Sequence, residues 1–398
     1  MQNTDAGHSR VGGTIAVCCV ITALEGFDIQ AFGVSAPQLI HALGMNGGQQ
    51  GWVASAAMVG LVLGAFAGGW LSDRVGRKPV LLASVIGFGV CSLWTALCHD
   101  YSVLLVARFV TGLGFGGALP NLIAIASEIS PPRRRAATTS AIFCGLPAGG
   151  AAVALLAKLM GNHVDWRVIF AIGGALPLAV VPLIVFLLAE TRPARAPAAT
   201  HRIHTALFGK GQAAPTVLLW LASLLTILFL YLMLNWLPSL VVAKGFSPGD
   251  GASAALAFNL TGIVGALVLG WVVDRIGFRW ALFMTYGALT AVVFALGLAS
   301  PIHLIVVLCA AAGFLVLGAQ FSLYGLTPLL YPAQMRAAGA GAAVAVGRFG
   351  SIIGPLMAGQ MRLAGWSAAQ VLTAMLPVVF TAGSAVFLLT FLGNRHED

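Results

Sequence analysis

The sequence predicts an all-α integral membrane protein: twelve transmembrane helices in two related six-helix bundles, with the N- and C-termini cytoplasmic. Composition, a train of apolar runs and an internal repeat predict it together. Hydrophobic residues make up 59% of the 398 residues and charged residues only 8%, too little polar surface to coat a domain dissolved in water. The mean hydropathy of +0.95 agrees, and 49 glycines suit helices whose backbones approach one another closely.

A span needs about twenty apolar residues. Twelve runs meet that length, at 13–36, 50–71, 79–98, 102–126, 136–160, 167–189, 214–238, 251–273, 280–299, 302–327, 337–360 and 367–391. They are apolar on every face, which argues for helices over the alternating strands of a membrane barrel.

The first run follows a polar leader and carries Glu25 and Asp28, so it is expected to remain attached as a span. The second holds the small-residue ridge Gly60, Gly64 and Gly68 and leads into a charged loop. The fourth carries Arg108, followed by Gly112, Gly114, Gly116 and Gly117, which are expected at helix contacts. After the sixth, a basic stretch rich in Pro and Ala divides the chain into an N-terminal half at 1–190, a cytoplasmic linker at 191–213 and a C-terminal half at 214–398. The seventh run offers Tyr231 and Asn235 one turn apart, with Trp236 beside them. The tenth offers Gln320 and Tyr324 at the same spacing, and the eleventh carries Arg348.

Lys and Arg number 21 against 12 Asp and Glu, and their placement reads as topology. Fifteen fall on the side of the termini, whereas only Lys158, Arg167, Lys244 and Arg362 fall on the other, which sets the termini in the cytoplasm. The basic residues are not interleaved with aromatics along a groove, so no nucleic-acid partner is expected. The six cysteines lie inside apolar runs without metal-site or disulfide spacing, and the eight histidines are scattered. No metal, cofactor or enzymatic chemistry is expected.

The repeat has an offset of 201 residues. Gly69-Trp70-Leu71-Ser72-Asp73-Arg74-Val75-Gly76-Arg77-Lys78 recurs as Gly270-Trp271-Val272-Val273-Asp274-Arg275-Ile276-Gly277-Phe278-Arg279, and Pro131 and Arg135 recur as Pro332 and Arg336. Two loops sharing one offset indicate a parallel duplication of six helices.

The pattern of Asp73-Arg74 with Gly76-Arg77-Lys78 resembles the loop signature of the major facilitator superfamily. That resemblance implies two bundles around a central cavity that opens alternately to either side. Asp73, Arg74, Arg77 and Lys78, with Asp274 and Arg275, are then candidates for gating, forming ion pairs that exist in one state only. A narrower resemblance follows from Glu25-Gly26-Phe27-Asp28, Arg108 to Gly117, Leu119-Pro120-Asn121-Leu122, Asn235-Trp236-Leu237-Pro238 and Ala343 to Arg348. These are similar to the aromatic acid:proton symporters, and among them to carriers of 3-(3-hydroxyphenyl)propionate. Many members have aspartate where this chain has Glu25. The resemblance implies a small aromatic carboxylate as substrate, a proton as the coupling ion, Asn121 among the substrate contacts, and a monomer in a bacterial inner membrane.

Four charges lie well inside the runs: Glu25, Asp28, Arg108 and Arg348. Burying one ionised side chain there costs upwards of about 3 kcal/mol, so each is expected to pair, face a cavity or bind something. Glu25 and Asp28 share a helix face. At about 6 Å and an effective dielectric near 20 they repel by about 2.8 kcal/mol, worth about two pKa units on the second proton. Either could carry the proton. Arg108 and Arg348 are both candidates for a substrate carboxylate, because a guanidinium donates two parallel hydrogen bonds. Tyr231, Asn235, Gln320 and Tyr324 are candidates for contact with the ring and its hydroxyl. The two carboxylates and two arginines sum to zero, so one added proton is balanced by one monocarboxylate. A carrier of another organic acid or a drug/proton antiporter would share the fold. The fifth run, with Gly145, Gly149 and Gly150, lacks the Gly-Pro-x-x-Gly-Gly element associated with exporters.

Overall fold

The structure, a computed structural model, describes residues 2–129, 138, 141–161, 165–188, 207–209, 211–331 and 336–393. The basic loop at 133–135, the landmarks Pro131 and Pro332, and most of the linker at 191–213 lie outside them. Among the described residues the regular structure is helical, and the chain divides into two compact units, Met1–Ala196 and Pro197–Asp398.

The first unit contains α1 (Gln2–Leu43), α2 (Gly47–Val75), α3 (Arg77–Ala96), α4 (Tyr101–Ile129), α5 (Gly145–Met160) and α6 (Trp166–Leu187). Within it α1 packs on α5 and α6, α2 on α4, and α3 on α4 and α6. The second unit contains α7 (Ala213–Ala243), α8 (Pro248–Leu298), α9 (Ile302–Leu326), a short 3-10 turn (Thr327–Leu329), α10 (Arg336–Leu363), α11 (Ala368–Thr373) and α12 (Leu376–Gly393). Here α7 packs on α10 and α12, and α8 on α9 and α12. The same pairings therefore recur in both units at the sequence repeat.

Among the described residues, eleven helices are long and apolar enough to cross a membrane. The eighth and ninth runs of the sequence form one 51-residue helix, α8, interrupted at Gly277, whose φ of 77° and ψ of 159° are not helical. At 1.5 Å per residue that helix would be about 76 Å long if straight, more than twice a hydrocarbon core of about 30 Å. Its counterpart in the first unit is Gly76, which separates α2 from α3 with φ 102°. A side chain there would be strained, so the repeated glycine marks the turn in both halves.

Glycine also sets how closely the helices approach. A Cβ on Gly60 or Gly64 of α2 would run into the backbone of Phe109 or Leu113 on α4, and one on Gly112 or Gly116 would run into Ala57 or Leu61 in return. Without a hydrophobic difference between lipid and side chains, such contacts supply much of the association energy. Inside the first unit, Val17, Ile21, Leu61, Val85, Phe88, Phe115 and Leu122 form a continuous buried cluster, with the rings of Phe88 and Phe115 4.6 Å apart. Phe66, Leu159, Phe186 and Phe380 stay exposed, as lipid-facing side chains do. The cysteines are free thiols, three buried and three half-buried.

Candidate functional site

In the first unit the intramembrane charges converge on Asp28. Arg108 of α4 donates from Nη1 to Asp28 Oδ2 at 2.6 Å, and from Nη2 to the Asp28 carbonyl at 3.4 Å. Ser92 of α3 donates to Oδ1 at 2.8 Å and also lies 3.3 Å from the carbonyl oxygen of Phe170 on α6. The rings of Phe170 and Phe32 flank the guanidinium, with centroids 5.3 and 5.9 Å from its central carbon. Asp28 is 0% exposed and Arg108 1%. An ion pair so buried repays its desolvation only with good geometry and further hydrogen bonds, and four helices contribute to both.

Glu25 lies one turn earlier on α1 and is also buried, at 1% exposure. Between the two carboxylates, Gly26 meets the backbone of Leu146 on α5, so closely that a Cβ would overlap its carbonyl; Gly149 of α5 meets Ala23 in the same way. The glycine of the acidic motif thus sets the α1–α5 distance. It holds the acidic turn against a neighbour that cannot move away cheaply.

The second unit brings together a different chemistry. Arg348 of α10 donates from Nη1 to the Tyr231 hydroxyl of α7 at 3.0 Å, and Tyr324 of α9 lies within electrostatic reach of both. Gln320, one turn before Tyr324 on the same helix, is 3% exposed and has the Tyr324 hydroxyl as its side-chain neighbour. A buried amide has four hydrogen-bonding positions and one phenol fills at most part of them, so the pair suits a polar ligand group.

Two expected site residues are turned to their own helices. Asn235 donates to the Tyr231 carbonyl at 2.9 Å and Asn121 to the Gly117 carbonyl at 2.8 Å. Asn121 Oδ1 is buried and has no hydrogen bond. Trp236 is a packing residue: at 2% exposure its indole N–H donates to the Pro355 carbonyl at 3.0 Å, joining α7 to α10.

In the repeated loops, Arg74 lies over the Trp70 ring at 3.7 Å and Arg275 over Trp271 at 4.1 Å. Lys78 donates to the Val185 carbonyl at 2.7 Å. Asp73 and Asp274 are exposed, and Arg77 is half-buried. Ser92, Phe32 and Phe170 are the site residues that sequence reasoning missed. Serine in a glycine- and alanine-rich span carries no signal of its own, and phenylalanine there reads as ordinary packing. Among the described residues no group of three His, Cys, Asp or Glu could hold a metal ion.

Comparisons with known proteins agree with this architecture. The chain is 40% identical to a 3-(3-hydroxy-phenyl)propionate transporter of Escherichia coli over 100% of this chain and 98% of that one. It is 33% identical to a gallate transporter of Pseudomonas putida, covering 96% and 91%, and 33% identical to the 4-hydroxybenzoate transporter PcaK of Pseudomonas aeruginosa, covering 94% and 91%. Among solved structures, a D-xylose-proton symporter superposes with a TM-score of 0.77 at 18% identity, over 96% of this chain and 97% of that one, which speaks to the fold alone. The family model for the Major Facilitator Superfamily matches residues 18–355, and the chain belongs to that superfamily of membrane transporters.

Proposed function

We propose that this protein is a secondary active transporter that couples uptake of aromatic carboxylates, such as 3-(3-hydroxyphenyl)propionate, to protons by alternating access. The names of its relatives supply the substrate class: hydroxyphenylpropionate, gallate and 4-hydroxybenzoate are all aromatic acids. The observation that carries the reading is the buried Asp28–Arg108 pair one turn from buried Glu25, opposite in chemistry to the Arg348–Tyr231 pair of the second unit.

The site residues divide as follows. Protonating Asp28 would strand the charge of Arg108, and breaking a buried pair costs about 3–5 kcal/mol. The proton therefore goes to Glu25, where it also relieves repulsion between the two carboxylates. Arg348 takes the substrate carboxylate, exchanging the Tyr231 hydroxyl for a charge-assisted fork. Gln320 and Tyr324 meet the ring hydroxyl, Asn235 adds a polar contact from the same unit, and Asn121 is the substrate contact of the first unit. One proton and one monocarboxylate then leave the buried charge unchanged, so the loaded carrier reorients without moving net charge through a low-dielectric core. No cofactor besides the proton takes part.

Counting the segments 248–276 and 278–298 of α8 as separate spans gives twelve, and the excess of basic residues sets both termini in the cytoplasm. The halves 1–190 and 214–398 are the moving parts. Asp73 with Arg74, Arg77 and Lys78, and Asp274 with Arg275, pair in the state where their loops close. The protein acts as a monomer in a bacterial inner membrane.

The test is uptake of radiolabelled 3-(3-hydroxyphenyl)propionate into proteoliposomes under an inward proton gradient. Accumulation that a protonophore abolishes supports the proposal. Accumulation unchanged by the protonophore removes the coupling, and failure to move any aromatic acid removes the substrate class.

A further inference from the structure

Lys78 and Arg279 occupy the same place in the two copies of the repeat, yet their charges have different surroundings. The Lys78 ammonium caps the Val185 carbonyl on α6. Arg279 is boxed by rings instead: its central guanidinium carbon lies 4.5 Å from Phe391 and 5.2 Å from Phe387 of α12, and 5.5 Å from Trp280. Its Nε is buried without a hydrogen bond, and among the described residues it forms no ion pair. Aromatic faces attract a guanidinium but accept none of its in-plane N–H bonds, so the planar fork is left to a ligand with oxygens, of which phosphate fits best. Local charge also asks for an anion, since Arg275 and Arg279 outweigh Asp274 by one.

The seam between the same two helices continues as an apolar surface. Exposed Phe283 packs against Phe387 in a tilted pair with ring centroids 5.3 Å apart, and beyond it a groove of about 560 Å³ is lined by Gly287, Thr290, Phe294, Leu376 and Phe380. Gly287 lies eight residues past Arg279, or about 12 Å along the helix. One leaflet's hydrocarbon is about 15 Å deep, half the core, so an acyl chain whose headgroup sits at Arg279 reaches the groove.

We propose that the α8–α12 seam binds an anionic phospholipid of the leaflet on the basic side, its phosphate on the Arg279 guanidinium and an acyl chain laid past Phe283 and Phe387 into the groove at Gly287. A lipid with one net negative charge neutralises the local excess, whereas a zwitterionic lipid does not. At the equivalent place in the first unit the Lys78 ammonium instead donates to the Val185 carbonyl.

The experiment is native mass spectrometry of the full-length purified protein titrated with phosphatidylglycerol, phosphatidylethanolamine or inorganic phosphate. Wild type is expected to retain phosphatidylglycerol preferentially. Arg279→Gln is expected to weaken it about fivefold, the share of one basic residue at an anionic lipid surface. Gly287→Leu tests the groove without touching the charge; a Cβ at Gly287 meets nothing within 4 Å, so the larger side chain fills the groove at little cost to the fold. It too is expected to weaken retention, whereas Lys78→Gln leaves it unchanged. Equal retention of phosphatidylethanolamine, retention of phosphatidylglycerol by both Arg279→Gln and Gly287→Leu at the wild-type level, or competition by inorganic phosphate alone at equal concentration would each overturn the proposal.

Discussion

The two halves share a helix-pairing plan and differ in what they bury. In the first, a carboxylate is clamped by an arginine and a serine from two other helices, with a second carboxylate a turn away. In the second, the arginine meets a phenol, and a buried amide stands beside another phenol. The helix ends differ in the same manner. Arg167 of α6 donates to the Cys98 carbonyl after α3 at 3.1 Å, whereas Lys244 after α7 reaches Leu296, Gly297 and Ala299 at the end of α8, at 2.9, 3.3 and 2.8 Å. Duplication preserved backbone packing, which glycines enforce, while the polar side chains diverged. On the function proposed above, a proton and an anion need different partners, and each half supplies one of them.

Removing Arg108 should break this division most severely. Arg108→Ala leaves Asp28 charged and unpaired in a dry interior, an expected loss of about 3–5 kcal/mol of stability, read as a lower midpoint of thermal unfolding in detergent, together with loss of uptake. The matching change Arg348→Ala should lower uptake strongly and shift that midpoint much less, because it leaves behind a phenol, Tyr231, where Arg108→Ala leaves a carboxylate. Comparable destabilisation by both would erase the distinction. Next in size is Gly26→Ala. Its Cβ has no room against Leu146, and overpacking of about 1–3 kcal/mol should appear as lowered stability with the charges untouched.

Smaller effects sharpen the comparison. Lys244→Met leaves three helix-end carbonyls without their donor and should cost about 1–2 kcal/mol of stability with little change in substrate affinity. In the second half, Tyr231→Phe removes the Arg348 hydrogen bond and should change KM for uptake by about tenfold or less, the worth of one hydrogen bond to a charged group of about 1.5 kcal/mol. Ser92→Ala removes a neutral hydroxyl from Asp28, a comparable contact, and should lower stability by about 1–2 kcal/mol while leaving KM near its wild-type value. A KM effect of Ser92→Ala as large as that of Tyr231→Phe would argue against separate roles.

Much of the fold was legible in the sequence because hydropathy sets span length and duplication fixes the pairing. The continuity of α8 was not. Asp274, Arg275 and Arg279 lower the hydropathy and read as a loop, yet they are helical on either side of the break at Gly277. The repeat pointed to that glycine through Gly76, and a one-residue turn is compatible with polar side chains once they reach the interface. For the site, the residue types Glu25, Asp28, Arg108 and Arg348 stood out because charge in a membrane is costly. Their partners did not, since partnership depends on helix rotation, which sequence spacing leaves open between helices. Ser92 is the clearest instance, and Trp236 the converse: an aromatic beside candidate ligands that serves to tie α7 to α10.

The central claim, that the first half carries the proton and the second the substrate carboxylate, is tested most directly with Glu25→Gln in proteoliposomes. Uphill uptake of 3-(3-hydroxyphenyl)propionate under an imposed proton gradient is compared with exchange of labelled for unlabelled substrate at equal pH. A glutamine mimics the protonated acid, so exchange should persist near the wild-type rate while uphill uptake is lost. Gradient-driven accumulation by Glu25→Gln at the wild-type level would contradict the account.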